Sequence, residues 1–392
     1  MPHHLRDKYA IVGVGYTPQG KIDGRTALSF HLEACANAIN DAGLKRKDIN
    51  GLIIYRHFTP LLGEPEVTPY LIAQHLGISP KMLSQEANCA RGHLLHAIAF
   101  LEAGLCNYVL ISYGDNALSG GRRFLSEATH GESFKDNAAF GEFGLVSNYA
   151  MAARRAMFEF QTGPDIWKEI AVSQRKWANL NPGAMMYGRG LTYADYLKAK
   201  WVVEPFRTYD TCLISDGGRA FIVTSLERAK DLKQTPALIM GFGSYHPSID
   251  IHQSDYMAGP TGALESGKQA LQMADITIDN IMACEIYDCF TYTVEITLQD
   301  YGFFGHGEGK DWFADGRIAP GGELPVNTSG GLLSEAYFMG LTPLTEGVMQ
   351  IMGRCGERQL GPKTMTKEPE VVLVSDNGGV FQSHATTILR RL

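Results

Sequence analysis

One internal echo constrains this chain more than any other feature. The segment DAGLKRKDINGLIIYRHF (41–58) can be written above MADITIDNIMACEIYDCF (273–290) without a gap. Ala42 then meets Ala274, Leu44 meets Ile276, Ile49 meets Ile281, Tyr55 meets Tyr287 and Phe58 meets Phe290. YVLISYGDN near residue 110 likewise resembles VVLVSDNGG near residue 373. Two matches in the same order, each closing a helix–strand unit, indicate internal duplication. The period is far too long for a solenoid, so the expectation is one pseudo-symmetric α/β pair whose strand ends converge on a shared cleft. The halves are expected at 1–232 and 233–392.

Local patterns agree with an α/β chain. YAIVGVGYT (9–17) is apolar and β-branched, GLIIYRHF (51–58) reads as a second strand, and NYVLISYGDN (107–116) as a third. LSFHLEACANAINDAGL (28–44) has helical spacing and stops at Gly43. Alternating strands and helices predict parallel pairing with right-handed crossovers. Residues 117–208 differ: they are rich in Gly, Asn, Tyr and Trp, and read as an excursion that covers the sheet and builds a pocket.

Bulk properties exclude several classes. The chain has 392 residues, 45% hydrophobic and 20% charged, with a net charge of -7. No basic face appears, so a nucleic-acid partner is not expected. No apolar run is long enough to span a membrane and no secretory signal precedes the first strand, which predicts a soluble cytoplasmic protein. Seven scattered cysteines without a CxxC pair predict free thiols and no metal site in this chain.

EANCARGH (86–93) places Cys89 just ahead of an apolar helix-like run. The unpaired N–H groups of a helix start favour thiolate over thiol, and can hold an oxyanion. The bland alternative is a buried structural cysteine. GVGYTPQG near the N-terminus lacks GxGxxG spacing and is no dinucleotide fingerprint.

Asn88-Cys89-Ala90-x-Gly92 resembles the nucleophile segment of the thiolase superfamily, in the sterol-carrier-protein-type branch. SDGGRA (215–220), YDCF (287–290), NTSGGLLSEAY (327–337) and VSDNGG (374–379) follow in the family's order, and the match runs from residue 9 to 391. The resemblance implies a thiolase fold, with two pseudo-symmetric halves, central mixed sheets in a layered α/β arrangement, and a large loop excursion over the active site. It implies coenzyme A as co-substrate, a CoA thioester as ligand and a homodimer. Related branches also imply a small zinc-ribbon/OB-fold partner subunit.

Departures from the family pattern are informative. Two histidines of ordinary thiolases are replaced by Tyr287 and Tyr337, and the second catalytic cysteine by Ser375 or Asp376. A phenol, with an ordinary pKa near 10, readily donates to an oxyanion but is a poor base at neutral pH. The tyrosine pair resembles that of steroid side-chain aldolases, while the retained Cys89 favours acyl transfer. The expectation is a thiolase-type acyltransferase that cleaves or forms a C–C bond of a bulky 3-oxoacyl-CoA, similar to benzoylsuccinyl-CoA thiolases. The alternatives are a retro-aldol lyase of a β-hydroxyacyl-CoA and a non-catalytic scaffold subunit.

Expected catalytic residues are Cys89, Tyr287, Tyr337 and His57, the last standing in the first-half loop opposite Cys289. Arg122, Arg123 and Gly331 are the expected coenzyme A contacts, with Arg154-Arg155 as another basic pair. Asp288 is expected to cap the helix that follows it. Glu335 either orients Tyr337 or sits in a salt bridge, and His384 is a weaker candidate base.

Overall fold

The computed structural model describes residues 3–55, 66–86, 93–120, 139, 144–247, 251, 257–361, 370–381 and 383–392. Its first stretch is β1 (Tyr9–Tyr16), α1 (Ala27–Ala42), β2 (Gly51–Tyr55), α2 (Pro69–Leu76), β3 (Met82–Glu86), α3 (His93–Glu102) and β4 (Val109–Asn116). The excursion supplies α4 (Leu145–Phe160), α5 (Pro164–Ala178) and a small antiparallel pair, β5 (Trp201–Val203) with β6 (Phe206–Arg207). Then come β7 (Asp216–Ser225), β8 (Ala237–Tyr245), α6 (Gly262–Ala274), β9 (Ala283–Glu285), α7 (Thr291–Tyr301), α8 (Leu341–Ile351), β10 (Val371–Gly378) and β11 (Ser383–Arg391).

Among the described residues, nine strands join in one mixed sheet, in the order β3-β2-β4-β7-β1-β8-β11-β10-β9. The order is nearly palindromic about the β1–β8 seam. Outward from it, β1, β7, β4 and β2 correspond to β8, β11, β10 and β9. The α1–β2 unit matches α6–β9, each with a 3-10 turn between helix and strand, at Arg46–Asp48 and Ile278–Asn280. Gly43 and Asp275, paired in the sequence alignment, both end their helices in the left-handed conformation, at φ 73° and 54°.

The parallel expectation needs one correction. β2 does run parallel to β3 and β4. β1, however, does not lie beside them: β7 is inserted antiparallel between β1 and β4. β1 also pairs antiparallel with β8. Two elements, α2 and β3, fall in a stretch whose sequence showed little periodicity.

Small residues set how closely helices lie on the sheet. A Cβ on Gly15 would overlap Ala34 O of α1, and one on Gly243 would overlap Ser266 O of α6. These paired glycines let equivalent strands touch equivalent helix backbones. Every residue of α8 is buried, so it forms a central layer rather than a surface one. No described helix is long and apolar enough to cross a membrane.

Candidate active site

Beyond β9 the chain turns through Ile286 and Tyr287. Ile286 N donates to Asn327 Oδ1 at 2.6 Å, which brings the NTSGGLLSEAY segment alongside. That segment makes a helical turn, Gly331–Ser334, and then reaches Tyr337, whose N–H donates to Ser215 Oγ at 2.8 Å. The result is a direct meeting of the two phenols. Their hydroxyl oxygens lie 2.9 Å apart, and the rings stand edge-on at 75°. Tyr287 is buried and Tyr337 is partly open. Tyr337 Oη also lies 3.2 Å from Met339 Sδ. When Tyr337 donates to that sulfur, Tyr287 donates to Tyr337.

The flanking acids have specific tasks. Asp288 caps no helix directly after it, contrary to the sequence expectation. Its oxygens accept instead from Leu332 N at 2.8 Å and Leu333 N at 3.1 Å, in the turn before Tyr337. Burial pushes its carboxyl up to about 8, against the pull of those N–H donors. Glu335 takes the salt-bridge role, pairing with Arg219 of SDGGRA at 3.0 Å, both side chains buried. Gly331, with φ +62°, packs on the Asp288 carboxylate so tightly that a Cβ would overlap it.

Strand alternation sends Ser375 and Asp376 to opposite faces of the sheet. Ser375 Oγ lies 3.3 Å from His384 Nε2, and His384 Nδ1 lies 2.9 Å from Ser266 Oγ of α6. His384 is fully buried there, and burial drives its pKa down to about 3, which favours the neutral imidazole. Asp376 points the other way, against Gly340, where a Cβ would overlap its carboxylate. Tyr55 Oη donates to Asp376 Oδ2 at 3.2 Å, while Oδ1 is covered and has no partner among the described residues. Burial raises this carboxyl well above the ordinary range. Tyr55 stacks on His93, 3.2 Å between ring centres, and the two line a small cavity with Asp376 and Gly340. Tyr55 and His93 escaped the sequence reading, although Tyr55 is the counterpart of Tyr287 in the repeat.

Cys289 is buried beside the pair, its thiol pushed up to about 12, which suits packing rather than chemistry. Arg154 pairs with Glu204 and Arg155 with Glu159, so these arginines are engaged on the surface. Cys89, His57, Arg122 and Arg123 lie outside the described residues. The excursion is anchored to the site: Tyr196 Oη and Thr291 Oγ1 each donate to Asp210 at 2.7 Å, and Cys212 N donates to Cys289 O at 3.0 Å.

Known proteins resemble the chain over most of its length. Residues 243–391 match the thiolase C-terminal domain-like family. The chain is 35% identical over 360 residues to a steroid side-chain-cleaving aldolase of Thermomonospora curvata, covering 88% of this chain and 90% of that one. It is 32% identical over 365 residues to the 17-hydroxy-3-oxo-4-pregnene-20-carboxyl-CoA lyase of Mycobacterium tuberculosis, covering 89% and 92%. The solved structure of an Ltp2-ChsH2(DUF35) aldolase superposes with a TM-score of 0.87 at 31% identity, over 99% of this chain and 98% of that one. A repeat-built sheet, a motif series in family order and whole-length relatives lead to one conclusion: the chain belongs to the thiolase superfamily, in its sterol-carrier-protein-type branch.

Proposed function

We propose that this enzyme cleaves a bulky β-hydroxyacyl-CoA by a retro-aldol reaction, with the Tyr287–Tyr337 pair acting on the β-hydroxyl. The observation that carries this reading is the 2.9 Å contact between the two phenolic oxygens. A lone phenol is a weak base at neutral pH, but a second hydroxyl that donates to its oxygen stabilises the anion. One tyrosine, as the anion that the other's hydroxyl stabilises, then takes the hydroxyl proton and becomes neutral as the negative charge passes to the substrate. The C–C bond electrons move onto the thioester as an enolate, a ketone or aldehyde departs, and the proton taken from the hydroxyl is returned through the pair to Cα, which completes the shortened acyl-CoA. No oxidant or reductant is needed. The names of the two aldolase-type relatives support a steroid-like acyl group and a CoA thioester. A homodimer, with Arg122 and Arg123 near the coenzyme, belongs to the same reading. So does a small partner subunit, supported by the paired name of the Ltp2-ChsH2(DUF35) aldolase.

The test is turnover of a β-hydroxyacyl-CoA bearing a tertiary hydroxyl, following release of ketone and shortened acyl-CoA. Tyr287→Phe and Tyr337→Phe are each expected to lose about 100-fold or more in kcat, the usual weight of an acid–base group. Cys89→Ala should leave cleavage intact, without consumption of free CoA. A second reading, acyl transfer through Cys89 with His57 as its base, is favoured by the retained Asn88-Cys89-Ala90 segment. An acyl adduct on Cys89, with CoA-dependent turnover lost in Cys89→Ala, would replace the first reading with this one.

A further inference from the structure

Asp288 neighbours Tyr287 in the chain, yet its carboxylate serves another segment. It is completely buried and spans two successive N–H groups, those of Leu332 and Leu333. These belong to the turn that leads into Tyr337. Gly331 closes the approach, since its left-handed backbone and missing Cβ let the turn seat directly on the carboxylate. One end of this clamp is therefore a single residue from one phenol, and the other end is four residues from the second. Asn327 adds a tie just before Tyr287, through its bond from Ile286 N. Asp288 differs from that amide in being titratable and in accepting on both oxygens. The titratable groups that interact with it are Cys289 on its own segment and Cys212, whose N–H binds Cys289 O. The turn that it caps carries only Gly, Leu and Ser. No Lys or Arg pairs with it among the described residues.

We propose that Asp288 is the positioning residue of the phenol pair, clamping the two tyrosine-bearing segments so that their hydroxyls meet at hydrogen-bond distance. This rests on the reading that the pair carries the chemistry, and it adds the device that sets the pair's geometry.

Asp288→Asn keeps one acceptor and turns an NH2 toward a backbone donor, so it should loosen the clamp. Gly331→Ala should do the same from the opposite side, by driving a Cβ against the Asp288 carboxylate while Asp288 and both tyrosines stay unsubstituted, and covers the case in which Asp288→Asn does not fold. With the β-hydroxyacyl-CoA probe, each is expected to lower kcat about tenfold or more while KM stays within about twofold. In a Tyr287→Phe background neither should lower kcat further, because the clamp acts through the pair. Crystal structures of both variants should show the hydroxyls moved out of hydrogen-bond contact. Hydroxyls still at 2.9 Å in both variants, or losses that add to that of Tyr287→Phe, would overturn the proposal. Should Tyr287→Phe itself leave turnover unchanged, the functional reading fails instead, and the crystal structures alone decide whether Asp288 sets the spacing.

Discussion

Burial raises the carboxyls of Asp376 and Asp288 above the ordinary carboxylate range, Asp376 well above it and Asp288 to about 8. The sign of the consequence follows from proton linkage. A carboxyl whose pKa is raised by folding holds its proton longer in the native chain than in the unfolded one, so stability is lost as pH climbs toward the folded value. Each such group contributes a slope of up to about 1.4 kcal/mol per pH unit in that window. Asp376→Asn removes one of them. The variant is expected to gain stability relative to the parent between pH 5 and pH 8, measured by urea unfolding at both; a pH-independent difference would refute the argument. At this scale the sequence was partly legible. Tyr287 and Tyr337 stood out because they occupy motif positions, and their separation in the fold is small. The bond from Tyr55 to Asp376 joins residues 321 apart. No spacing rule encodes a contact created by packing one half of the chain on the other. Asp288 does act at a helical turn, but the turn that it serves lies 44 positions downstream at Leu332.

Helices and strands obey the same logic twice. Gly15 on β1 and Gly243 on β8 each sit where a side chain would strike a helix carbonyl, Ala34 O or Ser266 O. Gly15→Ala and Gly243→Ala should each destabilise by about 3 kcal/mol, since the helix must lift off its strand. Gly188→Ala is the useful contrast: its φ of +72° opposes a side chain, but no atom lies within 4 Å, so the cost should be nearer about 1 kcal/mol. Chemical denaturation of the three variants checks the ranking, and equal costs would show that close approach is not what these glycines provide. In the sequence GVG reads as part of a strand and lacks fingerprint spacing, and GFG (241–243) carries no signal of its own. A glycine demanded by a neighbouring helix looks the same as one demanded by a turn until the neighbour is in place. The opposite failure befell α2 and β3. Proline at the first helical position, after the Thr68 cap, is a usable start signal that periodicity overlooks, and the strand MLSQE lacks β-branched residues.

For the molecule as a whole, the repeat carried most of the information. It implied the paired architecture that the sheet order displays, and the equivalence of Tyr55 with Tyr287. It did not reveal that β7 would separate β1 from β4, because antiparallel insertion depends on where the chain returns after the excursion. At the seam, Tyr9, Ala10 and Ile11 of β1 are in register with Ile239, Leu238 and Ala237 of β8. A polypeptide ending at residue 232 would leave that strand bare, an invitation to pair with a second copy. Sedimentation of such a fragment should show self-association, and a stable monomer would argue against it. A forerunner with only one half would have needed a twin, and identical twins can hold only matched residues on their two sides. Joining both copies in a single chain released each from the other, so that one side was free to carry a thiol and the opposite side a pair of phenols.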